Sequence, residues 1–353
     1  LAHSVELSLV VPNAPADLRH EVAGIPIVYL RRTRGPAVLR FFTADARRVA
    51  TAIRELNPDI VHYQGVAGLS RYVDRPGVLT VHGFAHRDIL FKPAKTWLHR
   101  LLRRLASKLL EMVERRYRRQ IGHLIIINPH VEDGLPDVAA LHRYPVPNPV
   151  DPLYTSPSPI TERRVHIVSA GRLGRLKNTT HAVRLAASIL CDKPRAQAFF
   201  YGAADNPEYL EQCRQIAADH GVSERLHFPG NVDAASLSVV LDKASVYLTT
   251  SLQETAPVAI AEALARGVAV VAPQTHGMRY MIRESENGFF LPPSDDVAAG
   301  AAVLARALEH PWDRAAMART AQDTYGPAQV ALRTVAAYRR VIAMARTEPG
   351  PGS

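Results

Sequence analysis

Short apolar runs rich in β-branched residues alternate with longer amphipathic stretches along nearly the whole chain, and this alternation narrows the fold to one class. In the second half, residues 165–170, 197–201, 225–228, 244–249 and 268–272 read as strands with helix-like stretches between them. Strand, helix and strand repeated in that way close a parallel sheet from βα units. Residues 5–11, 27–30, 60–63, 78–81 and 124–127 repeat the style in the first half. Two α/β sheets follow, and a length of 353 residues agrees, since one core seldom grows past about 150 to 250.

Proline marks the join. Pro145-Val-Pro-Asn-Pro-Val-Asp-Pro152 and Ser156-Pro-Ser-Pro159 suit neither a regular helix nor a central strand, because proline removes a donor and fixes φ. The expected division is a first domain over 1–150, a second over 160–325, and a helix over 326–346 that is free to cross back to the first. A disordered tail is expected from Thr347 onward. Because Leu1 is followed almost at once by a strand, a first βα unit is expected upstream.

Cys191 and Cys213 are too few for a disulfide framework or a thiolate metal site, and suggest a reducing, cytoplasmic setting. No apolar stretch reaches the ~18 to 20 residues that span a bilayer, and the first residues do not form a basic-then-apolar leader. The net charge of +10 is uneven: residues 91–120 hold ten Lys or Arg against Glu111 and Glu114, so this segment alone carries +8.

Chemistry concentrates in the second half. Ser251-Leu-Gln-Glu-Thr-Ala-Pro-Val-Ala-Ile-Ala-Glu-Ala-Leu-Ala-Arg-Gly267 follows a strand, has Pro257 suited to a first helical turn and Gly267 to the end. Glu254 therefore falls in a strand-to-helix loop, at the carboxyl edge where parallel sheets bind ligands, and Glu262 falls on the helix. Glu262 stands four residues before Arg266, so an ordinary surface ion pair is the competing account. Upstream, a strand ending at Gly171 leads into Arg172-Leu-Gly-Arg-Leu-Lys177. Arg172 and Lys177 thus sit near a helix amino terminus, which favours an anion such as a diphosphate, with a solvated basic loop as the alternative. Two acidic pairs, Glu132-Asp133 and Asp295-Asp296, lack metal-ligand spacing, and the second precedes a helix it is placed to cap.

Taken in order, Asn57-Pro-Asp-Ile-Val-His62, Val78-Leu-Thr-Val-His-Gly83, Asn148-Pro-Val-Asp151, the Gly171–Lys177 loop and residues 250–273 resemble the retaining glycosyltransferases of family four. The resemblance implies the GT-B fold, two Rossmann-like domains, here without the first βα unit of the amino-terminal one. It implies transfer of a hexose from a nucleotide-diphosphate sugar to a glycan or lipid-linked acceptor, with no metal and no cofactor beyond the donor itself. Carried over by position, Arg172 and Lys177 neutralise the diphosphate, Thr255 and its neighbours add backbone amides, and Glu262 holds the ribose. Glu254 binds the donor sugar and His82 faces it from the first domain, the two residues nearest the reacting centre. The chain departs from the family where Thr255 replaces a common glycine, and where His276-Gly277 and Tyr280 replace a glycine pair and a glutamate. A nucleotide-sugar epimerase and a noncatalytic scaffold are the alternatives.

From Trp97 to Val113, apolar residues recur at helical spacing among arginines and lysines. Such a helix either lies on an anionic membrane, which suits a polyprenyl- or lipid-linked acceptor at the inner face, or packs on the protein with a solvated basic side. Nucleic acid is not expected as a partner, since only Trp97 and Tyr117 interleave with the basic residues.

Overall fold

A computed structural model describes residues 5–35, 37–91, 96–135, 137–156 and 166–347. Val165, Lys92, Lys95, residues 157–159 of the proline-rich join and the tail past Thr347 lie outside them. Two compact units emerge: Leu1–Val146 with Ala331–Ser353, and Pro147–Val330. The first division falls at Val146 and not at 150, and the final helix, Pro327–Thr347, passes from the second unit into the first.

In the first unit, β1 (Leu9–Ala14), β2 (Leu18–Val22) and β3 (Ile25–Arg31) form a sheet ordered β1-β3-β2. The strand expected from Val5 begins at Leu9 and ends in an irregularity between Pro12 and Ala14. There Asn13 takes φ 67°, a left-handed conformation that asparagine tolerates. A second, wholly parallel sheet joins β4 (Val61–Gln64), β5 (Gly77–Thr80), β6 (His123–Ile126) and β7 (His142–Pro145) in that order. Pro145 ends an edge strand, where its missing amide costs little.

The second unit is one parallel sheet of β8 (His166–Ala170), β9 (Gln197–Tyr201), β10 (Leu226–Gly230), β11 (Val246–Leu248), β12 (Ala269–Pro273) and β13 (Gly288–Leu291). Their order is β10-β9-β8-β11-β12-β13, every pair parallel. Alternate side chains feed opposite cores: Ile167, Val246, Leu248 and Val271 enter one, while Val168, Tyr247, Val270 and Ala272 enter the other. Both faces are therefore covered, which is why these strands read as continuous apolar runs.

Candidate functional site

In the second unit the chain runs outward from β8 through β9 to β10, then resumes at β11 on the other side of β8. The loops leaving β8 and β11 thus diverge at the point where the strand order reverses, the place where open α/β sheets form a ligand crevice. Gly171, at φ 138°, turns the first loop off the sheet. The two loops are fastened together. The Thr250 hydroxyl donates to the carbonyl oxygens of Lys177 and Asn178, at 3.1 and 2.8 Å, and the Leu252 amide donates to Leu176 O at 2.9 Å.

Between them lies a cavity of about 240 Å³ lined by Arg172, Lys177, Tyr247, Glu254, Val258 and Ala259, among others. Lys177 Nζ forms an ion pair with Glu254, and Arg172 Nε with Asp205 on the loop after β9. Val258 and Ala259 open the helix Val258–Ala265, and first-turn amides have no acceptor within their own helix. They present donors to the same cavity that holds the two cations. Beneath it, Tyr247 Oη donates to Ala170 O at 2.8 Å, and burial pushes its phenol well up, with Glu254 and Glu262 adding to the effect.

The Glu254–Thr255 segment is braced from behind. Gly277 N donates to Glu254 O at 2.8 Å, and a Cβ placed on Gly277 would stand 1.8 Å from Thr255 O. The backbone at Gly277 therefore lies against the loop as closely as a residue without a side chain permits, a physical reason for glycine at this position.

Glu262 sits further along the helix, half-buried and outside the lining of that cavity. Burial, then the nearby charge of Asp151, raises its pKa. Its carboxylate makes no hydrogen bond or ion pair among the described residues. The competing account, a surface pair with Arg266, gives way to a buried pair: Arg266 Nε and Nη2 meet Asp242 Oδ1 and Oδ2 at 2.7 and 2.5 Å, and Nη1 meets Ser156 O. The guanidinium is taken up by Asp242 and the Ser156 carbonyl, which leaves the half-buried Glu262 carboxylate without a protein donor among the described residues.

His82 belongs to the first unit, just past β5, where its Nε2 donates to Gln64 Oε1 at 2.6 Å. Gln64 Nε2 reaches the ring of His62, whose Nδ1 and Nε2 lie 2.7 Å from Tyr338 Oη and Thr80 Oγ1. Desolvation lowers the pKa of both histidines, and that of His62 falls to about 4 with His82 contributing.

Arg172, Lys177 and Glu254 are thus brought together at one crevice; Thr255 is outside its lining, with its carbonyl toward Gly277, Glu262 is carried on the helix that follows, and His82 belongs to the other unit. Asp205, Tyr247 and Gln64 were not singled out from sequence, and Asp151 and Gly277 were named there only within motifs, without these contacts. Asp205 and Gln64 had a legible sign, since each closely follows or ends a strand at the sheet edge that carries the other site residues. Asp296 caps the helix Val297–Glu309 by accepting from Ala298 N at 2.9 Å. Among the described residues no three His, Cys, Asp or Glu side chains group as a metal site, and no helix is long and apolar enough to cross a membrane.

Similarity to known proteins agrees with this geometry. In solved structures the chain is similar to sucrose-phosphate synthase from Thermosynechococcus elongatus, with a TM-score of 0.74 and 17% identity over 97% of this chain and 90% of that one. It is also similar to the pneumococcal O-GlcNAc transferase GtfA in complex with UDP and GlcNAc, with a TM-score of 0.63 and 15% identity over 94% of this chain and 70% of that one. The fold is that of the GT-B glycosyltransferases, two α/β units with parallel sheets.

Residues 1–153 match the family model for Glycosyltransferase Family 4, and residues 153–324 match that for Glycosyl transferases group 1. The chain belongs to the family-four glycosyltransferases. An uncharacterized glycosyltransferase of Methanocaldococcus jannaschii is 29% identical over 137 residues, which is 38% of this chain and 34% of that protein. The match thus spans about a third of that relative's length. A phosphatidyl-myo-inositol mannosyltransferase of Mycolicibacterium smegmatis is 24% identical over 327 residues, 90% of this chain and 80% of that protein.

Proposed function

We propose that the protein is a retaining hexosyltransferase that moves a sugar from a nucleotide-diphosphate donor to a glycan or to a polyprenyl- or lipid-linked acceptor, in the service of polysaccharide assembly. The observation that carries this reading is the convergence of Arg172, Lys177, Glu254 and the free first-turn amides of Val258 and Ala259 on one crevice. A diphosphate meets there a guanidinium fork, a point charge and a helix amino terminus. Glu254 then takes hydroxyls of the sugar, and Glu262, which lacks donors of its own, takes the ribose hydroxyls. His82 serves the sugar from the first unit, held by Gln64.

In this reading the bond from the anomeric carbon to the β-phosphate oxygen breaks and its electron pair leaves with the phosphate. The acceptor oxygen attacks the same face of the oxocarbenium-like carbon and gives its proton to the departing phosphate oxygen. Charge on the leaving group falls on Arg172 and Lys177, which act without a metal or further cofactor. Support for a lipid-borne acceptor comes from the mannosyltransferase relative, whose name places its acceptor in a lipid. A cytoplasmic enzyme working at the inner membrane face is the setting that follows.

A thermal-shift screen across sugar nucleotides tests the donor site, because a ligand at about 100 times its dissociation constant adds about 2.7 kcal/mol. Transfer to an added acceptor is the expected next result. Isomerisation of the free sugar nucleotide, or binding without turnover, would replace this reading with an epimerase or a noncatalytic scaffold.

A further inference from the structure

The helix Trp97–Ile121 packs on the protein by one mixed face and leaves an apolar stripe on the other exposed. Ser107, Leu110, Tyr117 and Arg118 are buried, with Arg118 held by Asp137 at 2.6 and 3.0 Å, and Glu114 accepts from Ala67 N at 2.8 Å. Across the wheel, Trp97, Leu98, Leu101, Leu102, Leu105, Leu109 and Met112 stand in solvent, Trp97 70% and Met112 63% exposed. At about 100° per residue these seven fall within an arc of about 140°, opposite the packed face.

Charge decides what can cover that stripe. Arg100, Arg104, Lys108, Arg115, Arg116 and Arg119 are all exposed, while Glu114 is turned inward and Glu111 is half-buried. Arg100, Arg104, Lys108 and Arg115 run along one flank of the apolar stripe, and Arg116 and Arg119 continue the stripe past Met112. A second copy of this helix would bring two such cationic rows together; an anionic lipid surface would neutralise them while taking up the leucines.

We infer that this face of the Trp97–Ile121 helix docks on an anionic lipid bilayer, lying in the interface with Trp97, Leu101, Leu105 and Met112 inserted and the flanking arginines on lipid phosphates. The inference deepens the reading of a lipid-linked acceptor and rests on it for purpose alone, because the docking has its own measurement.

Full-length protein is co-sedimented with vesicles of phosphatidylcholine alone and with vesicles containing phosphatidylglycerol, at low and high salt. Binding to the anionic vesicles is expected, weakened by salt and by neutral lipid. Arg104→Glu with Lys108→Glu should weaken binding about 30-fold or more, at about 1 kcal/mol per basic residue removed. Leu101→Glu with Leu105→Glu should weaken it on the order of tenfold or more, while circular dichroism and urea unfolding stay unchanged because both side chains are exposed. Vesicle binding that survives both pairs of substitutions overturns the inference. So does binding to single- or double-stranded nucleic acid with none to vesicles, or a concentration-dependent dimer that the leucine substitutions dissolve. Sugar-nucleotide binding by the same variants is expected at parent affinity, so loss of docking and failure of the donor site are read separately.

Discussion

Gly277→Ala isolates the brace behind the Glu254–Thr255 loop. The added methyl would stand 1.8 Å from Thr255 O and 3.1 Å from Glu254 O, and both obstacles are backbone atoms that no rotamer change can move. Relief requires the loop and the Gly277 backbone to part by about 1 Å or more, and a misplacement of that size at a site costs on the order of 100-fold in rate. Forcing one methyl into a packed place also destabilises by about 1 to 3 kcal/mol. The Gly277 N to Glu254 O bond, at 2.8 Å, is the one the displacement strains first.

Turnover of the sugar nucleotide identified by the binding screen, alongside urea unfolding, gives both numbers. Gly300→Ala supplies the control, since its methyl would meet Leu185 Cδ2 at 2.7 Å, in the core away from the crevice and against a side chain that can yield. The expected pattern is loss of stability with little loss of kcat for Gly300→Ala, and a loss of kcat far beyond its stability cost for Gly277→Ala. Parent kcat and KM in a folded Gly277→Ala variant would refute the claim that Gly277 sets the position of Glu254.

Three further outcomes follow from the same geometry. Lys177→Ala should weaken nucleoside diphosphate binding about 10- to 100-fold by calorimetry, the range for one charge-assisted hydrogen bond, and unaltered affinity would remove Lys177 from the diphosphate site. The raised pKa of Glu262 means that its ionised form is disfavoured in the folded state, so the penalty is absent below the ordinary value of 4.5 and complete above the folded pKa. Glu262→Gln should therefore be at least as stable as the parent at pH 7 in urea, with the gap closing as pH falls toward 4.5, while its nucleotide affinity drops. For His62 the sign is reversed: a folded pKa of about 4 against 6.5 lends stability that is whole above pH 6.5 and lost as pH falls toward 4, and pH-resolved unfolding of His62→Gln should lack that loss.

Periodicity made the second sheet legible, because strands buried on both faces leave continuous apolar runs such as Val268–Ala272. It failed where that cause was absent. Every residue of β2 is exposed, and β7 is a polar edge strand ending in proline. The same division holds in the site. Arg172, Lys177, Glu254 and Glu262 stand on loops and helices whose place follows from the βα order, so their positions were readable. Asp205, Gly277 and Gln64 act through contacts 33, 23 and 18 residues distant in the chain, made when strands become neighbours, so a strand-end position hints at the residue while local spacing does not name its partner. Arg266 shows the converse, since the alternative of a local pair at four residues is displaced by Asp242 at a separation of 24.

The ion pairs give the crevice a property that its residue types alone would not. Both cations proposed to meet the diphosphate already stand in ion pairs, Lys177 with Glu254 and Arg172 with Asp205. Arg172 is largely exposed, so its pair is weak in water and easily exchanged; Lys177 and Glu254 are 35% and 16% exposed, so separating them leaves a carboxylate with little solvent. In the proposed reading a bare nucleoside diphosphate draws Lys177 away and strands Glu254, whereas a sugar nucleotide returns hydroxyl donors to that carboxylate. Recognition of the diphosphate and of the sugar is then one coupled exchange, and the glutamate that the loop places beside the lysine is what makes the crevice favour the intact donor over its own spent product.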